Sequence, residues 1–429
     1  MTHDSEPKRP LGLPTLDVGA ARALLLQRCP TLDDAERLPL AASLGRILAA
    51  DVVADLDQPA FDRAMMDGIA VRSDDCRPGA PALLFAGVGR AGAPFPGLLP
   101  IGGYVRVMTG GVVPAGADAM VPFEDVATEP PEDDNPTAPR RATTAVRFGQ
   151  HIVRQGQEVR AGDVVVARGA SLDAARLGVL AAFGAVEVPC IRRPIVGLMP
   201  TGDELVAVGQ RPGLGQVRDS NRWMLAAMLE QWGAQVVHAH AAADHRADLQ
   251  AGLEALAERC DALVLSGGVS MGDYDLVGAA LRALGAEVLL HRVRMRPGKP
   301  ILIAELPATR GRPPRLVLAL PGNPVSSFVA GQLFVRPALR RLAGATAGAW
   351  VKLRAPLATA VPANGDREAY LAATWRADAH GDAAIAVVAT HGSADLAHFA
   401  QSELLLCRPA HAAAASIGEL ATALVWSDR

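Results

Sequence analysis

The run SGGVSMGDYD, Ser266 to Asp275, places two acids, Asp273 and Asp275, in a glycine–serine turn behind the apolar stretch DALVLS. Amides of a Gly267–Gly268 turn and of a helix N-terminus attract an oxyanion, which carboxylates would repel unless a cation lies between. Mg²⁺ binds through one or two carboxylates plus substrate phosphates, so the turn reads as a mixed metal–anion site. GVSMG within it also satisfies G-x-S-x-G. A nucleophile elbow at Ser270 is therefore a rival reading, with His291, His391 and His398 available as later histidines. That reading leaves Asp273 and Asp275 unexplained.

Other turns carry complementary groups. PTGDE offers Thr201, Asp203 and Glu204, and Asp244 follows QVVHAHAA. In HRVRMRPGKP the arginines 292, 294 and 296 alternate, and would share one face if the segment is extended. Lys299 closes the run; lysine occurs only at Lys8, Lys299 and Lys352, and the other 39 of 42 basic residues are arginine. A solvated edge strand would also explain the arginines. In PGNPVSS, Pro321 and Pro324 stiffen a loop, Asn323 is a helix cap, and amides plus Ser326 and Ser327 would face a ligand. A well-capped helix is the plainer account of that loop alone.

These turns need a scaffold. From Arg193 apolar strands alternate with helices. One helix carries Leu225, Met228, Leu229 and Trp232 at i, i+3, i+4, i+7, and PVSSFVAGQLFVRPALRRL reads as one long helix. Such alternation predicts a three-layer α/β/α domain with a mostly parallel sheet over 193–345, its ligands bound beyond the strands' carboxyl ends. Helices are expected at Leu16–Cys29, about Leu40–Ala50, and 171–184. Residues 51–158 read as an inserted β-rich domain containing a long exposed loop over 127–144. Segments 14–50 and 159–192 read as a helical linker domain, and 346–429 as a small C-terminal β domain. GVGRAG (Gly87–Gly92) matches G-x-G-x-x-G, but APFPGLLP follows and forbids the helix that a dinucleotide site requires. His238 and His240 lie two apart on a strand without a third metal ligand of suitable spacing.

Composition narrows the partners. In 429 residues, 45 acids and 42 bases give a net charge of -3, with 4% aromatics, against a nucleic-acid surface of basic patches and stacking rings. Five scattered cysteines without C-x-x-C fit free thiols in a reducing compartment. No signal peptide or membrane-length apolar run is visible, so a cytoplasmic, membrane-free location is expected.

Taken in order, LGRILAADVVA, FDRAMMDGIAV, VRVMTGGVVPAGADAMVP, TGDEL, DSNRWML, SGGVSMGDYD, MRPGKP and LPGNPVSSF resemble the MoeA family of molybdopterin molybdenumtransferases, which includes the gephyrin E domain. A weaker echo appears at THGSADLAHFAQSELLL. The resemblance implies molybdenum insertion: adenylylated molybdopterin and molybdate as substrates, Mg²⁺ as cofactor and AMP as product. It also implies a C-terminal β-barrel and a homodimer whose inserted domain completes the partner's site. The molybdopterin adenylyltransferase and molybdoenzyme chaperones are the implied protein partners. Carried over by position, Asp67 and Thr109 come from the β-rich domain, and Glu204, Asp244 and Asp275 are catalytic and metal-binding carboxylates. Arg292, Arg296, Lys299, Pro321, Pro324, Ser270 and Ser326 line the cofactor site.

Two segments depart from the family pattern. Arg63, Ala64 and Met65 replace Asn-Ser-Ala, and Ile69 stands where tyrosine is usual. His151, Val153 and Glu158 occupy the asparagine, arginine and aspartate positions of a second motif. They motivate an alternative, a divergent paralogue that binds molybdopterin or a partner without efficient turnover.

Overall fold

The computed structural model describes residues 13–130, 135–239, 246–268, 276–309, 311–346, 350–378 and 380–426. Asp244, Ser270, Asp273 and Asp275 lie outside them. The chain forms two compact units, one of Asp51–Ala167 with Ala174–Val186, the other of the remaining residues.

The larger unit holds the expected α/β arrangement. Its elements are β1 (Ile195–Pro200), α1 (Ser220–Gln231), β2 (Gln235–His238), α2 (Arg246–Ala257), β3 (Ala262–Ser266), α3 (Leu276–Ala283), β4 (Glu287–His291), β5 (Leu302–Leu306), β6 (Arg315–Leu320) and α4 (Pro324–Ala330). The sheet order is β2-β1-β3-β6-β5-β4. The first four strands run parallel, β5 is antiparallel to β6, and β4 is antiparallel to β5. The end of β4 and the start of β5 therefore reach the same edge as the carboxyl ends of β1, β3 and β6.

Alternation along each strand makes the layers. Val196, Leu198, Val264 and Leu318 pack on one face with Leu225 and Leu229 of α1 and Phe328 of α4. Met199, Leu263, Leu265 and Val317 pack on the other with Leu249, Leu253 and Leu256 of α2 and Val277 and Leu281 of α3. Each such side chain contributes about 1.5–3 kcal/mol on burial. At Gly197 a β-carbon would lie 3.1 Å from Leu256, so the missing side chain lets α2 sit close on β1.

The expected long helix after β6 is interrupted. Between α4 and the helix Arg336–Leu342, residues Gly331–Val335 form a π-turn, with the Arg336 amide donating to the Gly331 carbonyl. The next bond in that register would need an N–H at residue 337, which is proline. Instead the indole N–H of Trp350 donates to the Gln332 carbonyl, 2.8 Å away.

Three other expectations change. About Leu40–Ala50 there is one 3-10 turn, Leu40–Ala42, after a strand Ala35–Pro39 that pairs with Glu187–Ile191. Pro39 and the positive φ of Gly45 (74°) bracket a segment too short for a helix. Within 127–144 the strands Val126–Thr128 and Arg140–Ala142 pair as a hairpin, and the carbonyl of buried Ala138 accepts from the Tyr104 hydroxyl. The C-terminal strands, joined by Met295–Arg296, pair in an open sheet rather than a closed barrel. Among the described residues an isolated bridge, Leu357 to Ile385, and a bond from the Val387 amide to Thr359 Oγ1 at 3.0 Å span its gap.

The smaller unit is built on a four-stranded sheet, with the fully buried Gly68–Val71 between Gly103–Val107 and Ala119–Pro122. Gly87 to Gly92 runs from the edge strand Leu84–Gly89 into a tight Arg90–Ala93 turn, without a helix, as its prolines require. No described helix is long and apolar enough to cross a membrane.

Candidate functional site

The strand-end turns of the α/β sheet come together through their backbones. Thr201 is buried; its amide donates to the Ser266 carbonyl at 2.8 Å, and the Gly267 amide donates to the Leu320 carbonyl at 3.1 Å. Gly267 and Gly268 have φ of 96° and 66°. A β-carbon on Gly267 would lie 2.3 Å from the Thr201 carbonyl oxygen, and one on Gly322 would lie 3.7 Å from the Gly267 Cα. Three turns thus meet at van der Waals distance, and only glycine fits between the first two.

Asn221 clamps them from the first turn of α1. Its Nδ2 donates to Ser266 Oγ and to the Gly322 carbonyl, each at 2.7 Å, while its Oδ1 is buried without a partner among the described residues. Asp219 caps the same helix by accepting from the Arg222 amide, and burial raises its pKa. Sequence reasoning missed Asn221. The signal was there: a polar side chain two residues after a cap points back toward the strand ends.

Glu204 is exposed, and its carboxylate folds over Gly202, where a β-carbon would lie 2.5 Å from Oε2. Of the three expected metal ligands it is the one described.

The basic run does not form a single stripe. Arg292 has φ of 123°, a strained conformation for a residue with a β-carbon, and its Nε is buried without a partner among the described residues. The Met295 amide then turns back to the Val293 carbonyl, and Met295–Arg296 joins the C-terminal sheet opposite Glu368–Ala369. Arg292, Arg294 and Arg296 therefore do not share one extended face. Lys299 is exposed, and its carbonyl accepts from the Val293 and Ile301 amides. A β-carbon on Gly298 would lie 3.5 Å from the Ser326 carbonyl, so this loop lies beside the first turn of α4.

That turn differs from expectation. Pro324 does occupy its first position, but Asn323 makes no side-chain cap; its Nδ2 donates to Ser393 Oγ at 2.8 Å. The Val325 amide donates to the Ser393 carbonyl, the Ser327 hydroxyl donates to the Pro321 carbonyl, and Ser326 is buried. A loop from the C-terminal sheet has taken an amide expected to be free.

In the smaller unit Asp67 and Thr109 do meet. The Thr109 amide and hydroxyl donate to Asp67 Oδ1 at 2.7 and 2.6 Å, and these bonds, the hydroxyl's foremost, lower the Asp67 pKa. Gly68 packs so closely that a β-carbon would lie 2.0 Å from the Val121 carbonyl. Ala64 accepts from the Gly110 amide and donates to the Gly111 carbonyl, knitting MMDG to MTGG. Exposed Met65, Met66 and Met108 are close to this pair in sequence.

The two departing segments prove to be one ladder. Arg63 lies opposite Val153, and its Nη2 pairs with Glu158 Oε1 at 2.7 Å. Arg154 binds Asp62 at 2.6 Å and lies over the Phe148 ring. His151 has φ of 54°, a conformation that asparagine and histidine tolerate better than most residues.

Comparison with known proteins agrees with these motifs. Residues 16–184 match the MoeA N-terminal region (domain I and II), and 197–341 match a probable molybdopterin binding domain. A molybdopterin molybdenumtransferase of Haemophilus influenzae is 35% identical over 329 residues, 77% of this chain and 78% of that protein. One from Synechococcus elongatus is 39% identical over 332 residues, 76% and 80% of the two chains. The crystal structure of a molybdopterin biosynthesis MoeA protein from Pyrococcus horikoshii superposes with a TM-score of 0.82 at 26% identity, covering 96% of this chain and 100% of that one. With its glycine turns, its TGDE and PGNP loops and its Asp67–Thr109 pair in the family's order, this chain belongs to the MoeA family of molybdopterin molybdenumtransferases.

Proposed function

We propose that the protein transfers molybdenum from molybdate onto the dithiolene of adenylylated molybdopterin and releases AMP, as a step of molybdenum cofactor biosynthesis. The observation that carries this reading is the meeting of Thr201, Gly267 and Gly322 at one sheet edge, with the Lys299 loop beside α4 at the same edge. Such an edge offers close backbone approach to a phosphate-bearing ligand together with fixed positive charge.

In this reading Lys299 and Arg292 hold the anionic substrates. The Arg292 guanidinium keeps its buried Nε, unpartnered among the described residues, as a donor in reserve. Asn221 fixes the spacing between the turns, so substrate phosphates meet a preformed edge rather than one that must reorganise. Ser326 lines the floor. Glu204 is a hard oxygen donor at the end of β1 and fits Mg²⁺, with Asp244 and Asp275 proposed to complete its set. The ion, when bound, would offset charge on the pyrophosphate linkage. Asp67 and Thr109 are proposed to act in the site of the partner protomer of a homodimer.

The test follows AMP release when purified protein meets adenylylated molybdopterin, molybdate and Mg²⁺. AMP produced in proportion to molybdenum loaded supports the reading. Tight ligand binding without AMP would replace it with the non-catalytic paralogue. The relatives' names give no support to a serine hydrolase, and a fluorophosphonate probe that fails to label Ser270 would dispose of it.

A further inference from the structure

The loop that seats α4 carries chemistry that the transferase reaction does not use. His391, Asp395 and His398 each present a potential metal-ligand atom, and the three atoms lie within 4.8 Å of one another. The imidazole rings are 5.4 Å apart between centroids and nearly perpendicular, at 83°. Asp395 is held from both sides: its Oδ2 accepts from the His391 amide at 2.8 Å, and its Oδ1 lies 2.8 Å from His398 Nδ1.

The loop is not a loose excursion. Phe399, one residue on, is buried, stacks on Trp426 and meets Phe328 of α4 edge-on at 4.9 Å. Ser393, between the ligands in sequence, binds Asn323 and the Val325 amide. The backbone is thus held in place while both imidazoles remain at the surface. Two imidazoles and one carboxylate suit zinc far better than Mg²⁺ or Ca²⁺, which prefer oxygen ligands alone. Donors around tetrahedral zinc stand roughly 3.3 Å apart, given bonds of about 2.0–2.1 Å. Closing from within 4.8 Å to that spacing is the adjustment that binding requires.

We infer that His391, Asp395 and His398 form a zinc site with at least one coordination position left for water or an anion, and that its occupancy tightens the seat of α4 beside the carboxyl edge. This site is independent of the Mg²⁺ ligands proposed above and does not require the transferase reading to hold.

The experiment uses the full-length, untagged chain after chelation and dialysis. Titration with Zn²⁺ alone by calorimetry should give one equivalent per chain, and Co²⁺ should develop the visible bands of a tetrahedral site. His391→Ala and His398→Ala should each weaken Zn²⁺ binding more than about 100-fold, since even losing an outer partner of a ligand costs about 10–100-fold. Asp395→Asn should abolish the Co²⁺ bands, while His380→Ala, at an exposed histidine of the same sheet, should change neither. Zn²⁺ should also slow hydrogen exchange at the Val325 amide. No binding by the wild type overturns the inference, as does binding that survives both histidine variants. The second result would mean that Asp395 and His398 are only a helix cap and ion pair.

Discussion

The carboxyl edge of the α/β sheet and the Asp67–Thr109 pair of the β-rich unit carry the two halves of the family's motif set, and they are built by opposite means. At the edge, backbone meets backbone: Gly267 touches Thr201, Gly322 approaches Gly267, and one buried asparagine ties the turns. In the β-rich unit, glycines again fix the chain, but the Asp67 and Thr109 side chains stand in solvent and find each other through two hydrogen bonds. The edge is therefore a packing problem, in which a single added atom is felt throughout. The exposed pair is a local problem that can change chemically without disturbing the fold. The departures from the family pattern fall in the second unit, at solvent-facing Arg63 and Glu158 but also at buried Ala64 and Ile69.

Four tests break or sharpen the contrast. Gly267→Ala should have the largest effect. A methyl group 2.3 Å from the Thr201 carbonyl, at φ of 96°, should cost about 2–4 kcal/mol, read by urea denaturation. A loss below about 0.5 kcal/mol would show that the edge can relax. Lys299→Ala removes an exposed ammonium, so melting should be unchanged while AMP release falls roughly 100-fold, the scale of one preorganised donor. Unaltered release would remove Lys299 from the site.

Asp67→Asn should leave the fold intact and lower AMP release roughly tenfold, the scale of one lost charge-assisted hydrogen bond of about 1.5 kcal/mol. It also has a pH signature. The folded pKa lies below its ordinary value of 3.8, so the Asp67–Thr109 contribution is fully present above that value and fades as pH falls through the lower folded one. Titration of the Asp67 carboxyl carbon by NMR should give a midpoint below 3.8, and Thr109→Ala should raise it toward the ordinary value. A midpoint that ignores Thr109→Ala would break the pair. The smallest effect belongs to Arg63 and Glu158. A double-mutant cycle should give a coupling of about 0.2–1 kcal/mol, as for solvent-exposed pairs. A coupling above about 2 kcal/mol would mean that the ladder, and not packing alone, holds the β-rich unit's altered surface.

Much of the larger unit was legible because its signals are local. Apolar strands separated by helices with i, i+3, i+4, i+7 stripes leave few ways to build a sheet, and the helix of Leu225 to Leu229 lies where its pattern required. Reading HRVRMRPGKP failed for a physical reason. An alternating pattern presumes one continuous strand, yet here the chain leaves one sheet at Arg292 and enters another at Met295. The long helix failed similarly, since Pro337 forces a π-turn whose unmet carbonyl is served by Trp350, a residue far from the apolar stripe. In PGNP the proline position was readable, but the fate of Asn323 was not, because its partner Ser393 is 70 residues away.

By itself the sequence determined the alternation of strands and helices in the larger unit and the glycine turns at the strand ends, since each follows from spacing or from the absence of a β-carbon. Only the tertiary structure decided which donors the turns keep: Asn221 bound to two turns at once, the Val325 amide given to Ser393, Arg63 turned on Glu158. Hydrogen bonds between distant segments depend on where two backbones finally lie, and no local preference of either segment encodes that distance.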